Sequence, residues 1–432
     1  MPIRLPLFAV LAVSVVAMAA DNWPEFRGPH GDGHSDATSL PTTWSEAQNV
    51  RWKTAIHDKG WSSPVVWGNQ VWLTTATETG DKLYAVGVDR ETGKVIHDVL
   101  LFEIKVPPRP AKKTSPSIMT PYEEWAGFNS YASPSPATEE GRVYAHFGSA
   151  GTACLDTATG KVLWKREDLK CGHHRGAGSS PILYANLVIL TFDGFDVQYL
   201  VALDKATGKT VWQKDRQFHP DTMNGDMKKA YSTPLVISVE GKPLLVSPSA
   251  GATAAYDPMT GDEVWRVVHG GMNAGLRPIF GQGLVFTASS DGGKQLMAIK
   301  PNGTGNVTNS NIAWTFDKGA PNRTSFLVSG DNLLMVNSGG IARCVGIKDG
   351  KERKNIRLET RGANVWASPI LAEGKWYVFD DAGNSFVLSA DEKLDVIATN
   401  KLDGGGRASP AAVGHALYHR TFTHLYRIEA SK

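Results

Sequence analysis

Residues 154–164 read CLDTATGKVLW, and this pattern returns along the chain. Residues 202–212 read ALDKATGKTVW, residues 255–265 read AYDPMTGDEVW, and residues 87–97 more loosely read GVDRETGKVIH. In each copy an apolar run leads to aspartate, to a turn that ends in Thr-Gly, and to a second run of alternating residues. Alternating runs joined by a short turn with glycine predict a β-hairpin. The chain therefore uses one hairpin several times.

The positions that recur in each copy of the hairpin have separate expected roles. The glycine is expected to adopt a positive φ, and the aspartate to accept hydrogen bonds from the turn amides. These residues are Gly160, Gly208 and Gly261, and Asp156, Asp204 and Asp257. The tryptophan four places after the glycine either stacks on a ligand or fills the space between repeat units, and packing is the favoured interpretation. The tryptophans are Trp164, Trp212 and Trp265.

A second repeated element, which we call the marker, is a four-residue stretch that ends in proline, or in Phe326 in the sixth copy, and opens a short apolar run. The eight markers are WSSP at 61, YASP at 131, GSSP at 178, YSTP at 231, GLRP at 275, RTSF at 323, WASP at 366 and RASP at 407. After a first interval of 70 residues, their last residues stand 41–53 residues apart. This is the period of propeller blades, each a four-stranded antiparallel sheet. The sequence therefore predicts an all-β, eight-bladed propeller.

The last repeat unit holds only about three strands before the chain ends. Residues 49–56, with Trp52, have the pattern of the missing outer strand, so N-terminal and C-terminal strands are predicted to close the ring. The predicted propeller spans residues 49–432 and follows a leader at residues 20–48. The long first interval holds a proline-rich insertion at about residues 99–130, which is predicted to form a surface loop.

The start of the chain resembles a secretory signal peptide over residues 1–19, with Arg4 before an apolar run and a small-residue cleavage pattern at 17–19. We therefore expect an exported protein, periplasmic or extracellular, that does not span a membrane. The charges nearly balance, with 45 Lys+Arg against 43 Asp+Glu, which disfavours a nucleic-acid partner.

Three cysteines, Cys154, Cys171 and Cys344, leave two alternatives open. One is a disulfide between Cys154 and Cys171, and the other is three separate buried thiols.

Several stretches carry polar side chains without completing a chemical site. Residues 171–178, CGHHRGAG, would need two further ligands to bind zinc, so a polar loop with exposed histidines is favoured. Residues 30–34, HGDGH, are expected to form a flexible glycine-containing loop. The pair Asp380 and Asp381 is interpreted as hairpin chemistry. Neither a catalytic residue nor a metal site is predicted.

The hairpin and marker patterns resemble the pyrroloquinoline-quinone-type propeller repeat family. Among its members, the chain is most similar to exported single-domain propellers, including the propeller subunit of the outer-membrane barrel-assembly machinery. This resemblance implies a binding or scaffolding module of the cell envelope, with a protein or envelope component as partner and no cofactor. The alternative is a quinone-dependent oxidoreductase acting on an alcohol or sugar with pyrroloquinoline quinone and calcium. Such dehydrogenases are marked by adjacent cysteines, which this sequence lacks.

The first marker position differs most between the repeat units and is expected to form a circle around one mouth of the channel. Aromatic and arginine side chains there suit a planar, anionic or peptide-like ligand, whereas the alternative is a packed and solvated rim. The candidate binding residues are Trp61, Tyr131, Tyr231, Arg323, Trp366 and Arg407.

Overall fold

The computed structural model describes residues 22–105 and 129–430, apart from residues 174, 217, 219–221, 293–295 and 318. The described residues form eight antiparallel sheets, which are the blades of a propeller. The predicted fold class is therefore confirmed. The predicted signal peptide and residues 106–128 of the predicted insertion lie outside the described residues.

Strand β1 (Val50–Ala55) precedes the first blade, and the next sixteen strands build blades 1 to 4. Blade 1 contains β2 (Val65–Trp67), β3 (Gln70–Ala76), β4 (Lys82–Asp89) and β5 (Val95–Glu103). Blade 2 contains β6 (Ala137–Glu139), β7 (Arg142–His146), β8 (Thr152–Asp156) and β9 (Val162–Arg166). Blade 3 contains β10 (Ile182–Tyr184), β11 (Leu187–Asp193), β12 (Gln198–Asp204) and β13 (Thr210–Asp215). Blade 4 contains β14 (Leu235–Val239), β15 (Lys242–Pro248), β16 (Gly251–Tyr256) and β17 (Glu263–Gly270).

The remaining strands build blades 5 to 8. Blade 5 contains β18 (Ile279–Gly281), β19 (Leu284–Thr287), β20 (Leu296–Ile299) and β22 (Ile312–Phe316), while β21 (Gly305–Asn306) pairs with β17 of blade 4. Blade 6 contains β23 (Leu327–Ser329), β24 (Asn332–Val336), β25 (Ile341–Gly346) and β26 (Glu352–Arg357). Blade 7 contains β27 (Ile370–Ala372), β28 (Lys375–Phe379), β29 (Asn384–Ser389) and β30 (Val396–Lys401). Blade 8 contains β31 (Ala411–Val413), β32 (Ala416–Arg420) and β33 (His424–Glu429).

Strand β1 completes blade 8 by pairing antiparallel with β33, as predicted from the short last repeat unit. Helical structure is limited to α1 (Thr308–Asn311) and two single 3₁₀ turns at Gly148–Ala150 and Gly225–Met227 in the described part of the chain. Strand β5 runs to Glu103, so the first residues of the predicted insertion belong to the outer strand of blade 1. The insertion therefore starts later than predicted.

The repeated hairpin joins each blade to the one before it. Gly160, Gly208 and Gly261 have φ values of 70°, 69° and 72°, and the hairpin aspartates accept hydrogen bonds from turn amides, as predicted. The indole of Trp164 lies on Gly208 of the next blade and donates a hydrogen bond of 2.9 Å to the carbonyl of Lys205.

The same contact recurs around the ring with different residues. Each indole donates a hydrogen bond to a backbone carbonyl of the next blade. The acceptor is the residue directly after the aspartate position of the hairpin. The pairs are Trp52–Arg90, Trp212–Pro258, Trp265–Pro301 and Trp314–Ile347. Trp164, Trp212 and Trp265 are 9%, 8% and 0% exposed, so their packing role is confirmed. In blade 1 the same place is held by His97, whose Nε2 lies 3.0 Å from the carbonyl oxygen of Thr157.

A second set of contacts links the blades around the channel. The backbone amide of the third marker residue donates a hydrogen bond to the serine or threonine hydroxyl at the third marker position of the next blade. The distances are 2.8–3.0 Å. The pairs are Ser63–Ser135, Ser135–Ser180, Ser180–Thr233, Arg277–Ser325, Ser325–Ser368, Ser368–Ser409 and Ser409–Ser63. We call this set the hydroxyl belt.

The belt corrects the predicted register of the second marker. Its member in blade 2 is Ser135, which precedes Pro136, and β6 begins directly after that proline. The sequence SPSP offers two prolines, and the second one stands where the marker of every other blade ends. The first marker position of blade 2 is therefore Ser133 and not Tyr131.

The leader lies across the ring instead of extending away from it. Trp23 forms a two-way backbone bridge with Val66 of blade 1, and the carbonyl of Pro24 accepts from the amide of Thr138 in blade 2. Farther along, Gly33 and Ser35 bond to Leu371 of blade 7. These partners lie on the innermost strands of their blades, so the leader runs along the channel side of the ring.

The three cysteines are buried and free of disulfide bonds. Of the two alternatives that the sequence left open, the structure therefore has three separate thiols.

Candidate ligand-binding cup

A cavity of about 200 Å³ lies at the channel mouth formed by the first marker positions. Every blade contributes the residue at this position to the cavity wall: Trp61, Ser133, Gly178, Tyr231, Gly275, Arg323, Trp366 and Arg407. We call this cavity the cup. Because the blades are similar, these eight residues are the main source of chemical variation around the cup.

Five of the six predicted binding residues line the cup, and Tyr131 is the exception. Tyr131 is half-buried, and its ring packs against Gly80, where an added Cβ would lie 2.5 Å from the ring. Its displacement follows from the marker register, which puts Ser133 in the cup wall instead. Whether the other five residues bind a ligand stays a prediction.

Half of the circle carries alternating tryptophan and arginine side chains. The guanidinium carbon of Arg407 lies 4.3 Å from the ring centroid of Trp61 and 4.6 Å from that of Trp366. The guanidinium carbon of Arg323 lies 5.6 Å from the centroid of Trp366. These four residues come from adjacent blades 6, 7, 8 and 1, and we call them the arginine arc. At these distances the guanidinium groups make cation–π contacts with the indole rings.

The opposite half of the circle is uncharged, and three of its four residues are serine or glycine. It consists of Ser133, Gly178, Tyr231 and Gly275. Gly178 lets Tyr231 lie close to its backbone, because an added Cβ would be only 2.9 Å from Cβ of Tyr231. An added Cβ at Gly275 would meet nothing nearer than 3.6 Å, so the missing side chain leaves space in the cup.

Asp381 orients the arginine arc through a hydrogen bond with Trp366. One carboxylate oxygen accepts a 2.9 Å hydrogen bond from the indole of Trp366, and the other accepts a 2.8 Å bond from the amide of Asn364. Burial lowers the pKa of Arg407, and the charge of Asp381 opposes that shift. The sequence prediction assigned Asp381 to hairpin chemistry, which the neighbouring Asp380 performs by accepting from the amides of Ala382 and Asn384.

Further polar groups complete the wall. Arg175, Asn129 and Asn273 also line the cup, and the Asn273 amide donates a 2.7 Å hydrogen bond to Asp291. Burial lowers the pKa of Arg323, an effect that Asp291 opposes and Arg175 reinforces. The cup thus holds three arginines, with Asp291 and Asp381 as the acidic groups beside them. This balance favours an anionic ligand.

The leader supplies Phe26 to the cup wall, a residue that the sequence prediction missed. Arg277 fixes this segment, because its guanidinium donates to the carbonyl of Phe26 and pairs with Glu25 at 2.6 Å. Arg277 stands where the hydroxyl belt has serine or threonine in the other blades. An arginine at a marker position that holds serine or threonine in the other blades was the available signal for this contact.

The stretch at residues 171–178 is described apart from residue 174. Cys171 and His173 are buried and in contact, with Sγ 3.4 Å from Nε2, so the predicted exposure of the histidines is wrong for His173. Burial raises the pKa of Cys171 and lowers that of His173 to about 4. Among the described residues, no group of three or more His, Cys, Asp or Glu side chains is placed to hold a metal ion.

The Asp-x-x-Thr-Gly hairpins, the eight blades and the cup define the class of pyrroloquinoline-quinone-type repeat propellers. Within this class the chain belongs to the family described as outer membrane protein assembly factor BamB, whose model matches residues 196–432. The chain resembles the crystal structure of BamB from Moraxella catarrhalis with a TM-score of 0.58 and 14% identity, over 88% of this chain and 99% of that one.

Curated relatives come from a different functional group. A 1-butanol dehydrogenase (quinone) of Thauera butanivorans is 29% identical over 47% of this chain and 32% of its own length. A quinoprotein ethanol dehydrogenase of Pseudomonas aeruginosa is 25% identical over 61% of this chain and 43% of its own length. The chain therefore spans less than half of the length of these relatives. No helix in the described residues is long and apolar enough to cross a membrane.

Proposed function

We propose that this protein is an exported, non-catalytic binding module of the cell envelope that holds an anionic group of its partner in the cup. The observation that carries this proposal is the arginine arc, in which Arg407 stacks between Trp61 and Trp366. A stacked guanidinium keeps its plane fixed and presents its N–H groups in that plane, the geometry in which arginine binds carboxylate or phosphate.

The size of the cup favours one anionic group over a large cofactor. Its volume of about 200 Å³ is below the ~300–1,000 Å³ typical of sites that enclose drug-sized ligands. A carboxylate on a small body, or an acidic side chain or terminus of a protein, fits such a space. The family description, an assembly factor for outer membrane proteins, supports a protein partner and an envelope location.

The second candidate is a quinone-dependent oxidoreductase, which the curated dehydrogenase relatives favour. The arginine arc suits a planar anionic cofactor such as pyrroloquinoline quinone. Calcium fits less well, because the carboxylates beside the cup are already engaged: Asp381 by Trp366 and Asn364, and Asp291 by Asn273. Calcium prefers six to eight oxygen ligands, several of them carboxylates.

The two candidates are separated by titrating the purified protein with pyrroloquinoline quinone and calcium, followed by absorbance and dye-linked oxidation of alcohols and sugars. The binding module predicts no turnover. It also predicts that tryptophan fluorescence responds to a small carboxylate such as acetate in the wild type but not in the Arg323→Gln/Arg407→Gln variant. Arg51→Gln/Arg357→Gln, which changes two exposed arginines, is the matched control and should respond like the wild type. Stoichiometric quinone binding with turnover would establish the oxidoreductase.

A further inference from the structure

The leader is held under the arginine arc by a buried arginine. Arg27 is 1% exposed, and its guanidinium donates hydrogen bonds of 3.0 Å to the carbonyl of Pro369 and 2.6 Å to that of Phe326. These carbonyls belong to the last marker residues of blades 7 and 6, three residues beyond Trp366 and Arg323. The leader is therefore hydrogen-bonded to blades 6 and 7, which carry Arg323 and Trp366 of the arc.

The glycines of the leader allow this close approach. Gly33 has a φ of 87°, and a Cβ there would lie 2.4 Å from the guanidinium of Arg27. Gly31 has a φ of 67°, and a Cβ there would lie 2.5 Å from the guanidinium of Arg277. Both arginines are buried, and Arg277 also bonds to the Pro234 carbonyl of blade 4 at 3.1 Å. Such packing places Phe26 at a fixed point of the cup.

Phe26 adds an apolar ring to the wall of a cup that also carries the cationic arginine arc. It is half-buried, lines the cavity, and has its carbonyl held by Arg277. Gly275, two residues before Arg277, lines the same cavity, and its missing side chain leaves space there. An anion alone would use the arginine arc and ignore the aromatic ring, whereas a carboxylate with an apolar body would contact both.

We infer that the leader is part of the binding site: Phe26 contacts the apolar body of a small carboxylate whose charged end lies at the arginine arc. This inference rests on the proposed function and adds to it the class of ligand, a carboxylate on an aromatic or short alkyl body. The specificity of the cup then comes from two parts of the chain, the arc for charge and the leader for the apolar body.

The test compares two probes, benzoate and acetate, by calorimetry and tryptophan fluorescence on the full chain. The wild type should bind benzoate more tightly than acetate. Phe26→Ala should weaken benzoate roughly five- to tenfold, the loss expected for one aromatic contact, and leave acetate within about twofold. Phe422→Ala, which removes a phenylalanine that is 38% exposed and absent from the cup wall, is the control and should change neither affinity.

A second variant keeps the test decisive if Phe26→Ala fails to fold. Gly275→Leu reduces the space in the cup that a larger carboxylate needs, without a strained backbone, since Gly275 has no left-handed φ. It should weaken benzoate more than acetate. Equal affinity of the wild type for both probes, or equal loss of both in Phe26→Ala, would overturn the role of the leader while leaving anion binding intact. Absence of binding by either probe in the wild type would instead overturn the proposed function.

Discussion

The outer hairpins and the channel mouth are built from the same repeat unit, yet they behave in opposite ways. On the outer side, Trp164 and its equivalents make one contact again and again, from an indole to the carbonyl of the next blade. At the mouth, the first marker position holds five residue types among the eight blades. Identical contacts fix the spacing of blades, while only differing residues create one asymmetric site. Under the proposed function, stability and specificity are therefore separated in space.

Opening the ring should have the largest effect. Val50, Trp52 and Thr54 are the half-buried residues of β1, whereas Arg51, Lys53 and Ala55 are exposed. Replacing the first three together with glycine should abolish cooperative thermal unfolding and produce aggregates, because an open blade edge is left unpaired. Circular dichroism melts and size-exclusion chromatography measure this. The same triple replacement of the exposed residues is the control, and equal behaviour of the two variants would contradict closure by β1.

Removing one repeated tryptophan should have the next largest effect. Trp265 is fully buried and donates a 2.8 Å hydrogen bond to the carbonyl of Pro301. Trp265→Ala should lower the free energy of unfolding by about 3–5 kcal/mol, measured by urea denaturation. Val268→Ala on the same strand, where the side chain is 42% exposed, should cost under about 0.5 kcal/mol. Acetate affinity should be unchanged in both variants. A large loss of acetate affinity in Trp265→Ala would contradict the separation of the stabilising outer hairpins from the binding residues at the channel mouth.

Much of this division was predictable because it follows from local chemistry. The Thr-Gly turn and the aspartate before it act within a few residues, so the hairpins, blade number and ring closure could be predicted. Phe26 and Arg27 could not, since their partners lie on blades far away in sequence and a polar leader has no periodicity. The second marker failed for a different reason: Pro134 and Pro136 both satisfy the pattern, and the contacts of Ser135 with Ser63 and Ser180 in the folded ring select the second.

Acid should weaken the blades before it affects the cup. Burial lowers the pKa of His419 to about 4 and that of His146 to about 3, from an ordinary value of 6.5. A histidine with a lowered folded-state pKa contributes stability above pH 6.5 that is lost as the pH falls toward the folded pKa, because the unfolded chain binds more protons. For His419 the full loss is roughly 3 kcal/mol.

The measurement is urea denaturation between pH 7.5 and 4.5, with acetate titrations over the upper part of that range. The free energy of unfolding should decrease as the pH is lowered. His419→Gln should reduce the slope of unfolding free energy against pH. Acetate affinity should stay constant from pH 7.5 to 6, since guanidinium groups keep their charge and a carboxylate with an ordinary pKa of ~4 keeps its own. A parallel decline of affinity and stability over that interval would contradict the separation.

The smallest effect is expected at Tyr131, and it tests the register of the circle itself. If the first marker position of blade 2 is Ser133, then Tyr131→Leu should leave acetate and benzoate affinity within about twofold and cost only about 1 kcal/mol of stability, as for a half-buried side chain. Ser133→Leu, two residues away, places an apolar branch inside a cavity of about 200 Å³ and should weaken both probes several-fold. Calorimetry on the two variants gives the comparison directly. The reverse result, with Tyr131→Leu impaired and Ser133→Leu unaffected, would restore Tyr131 to the circle and require the channel mouth to follow the first proline of SPSP. The hydroxyl belt argues for the second proline, because a two-residue shift would move Ser135 away from the amide of Ser63 and from the hydroxyl of Ser180.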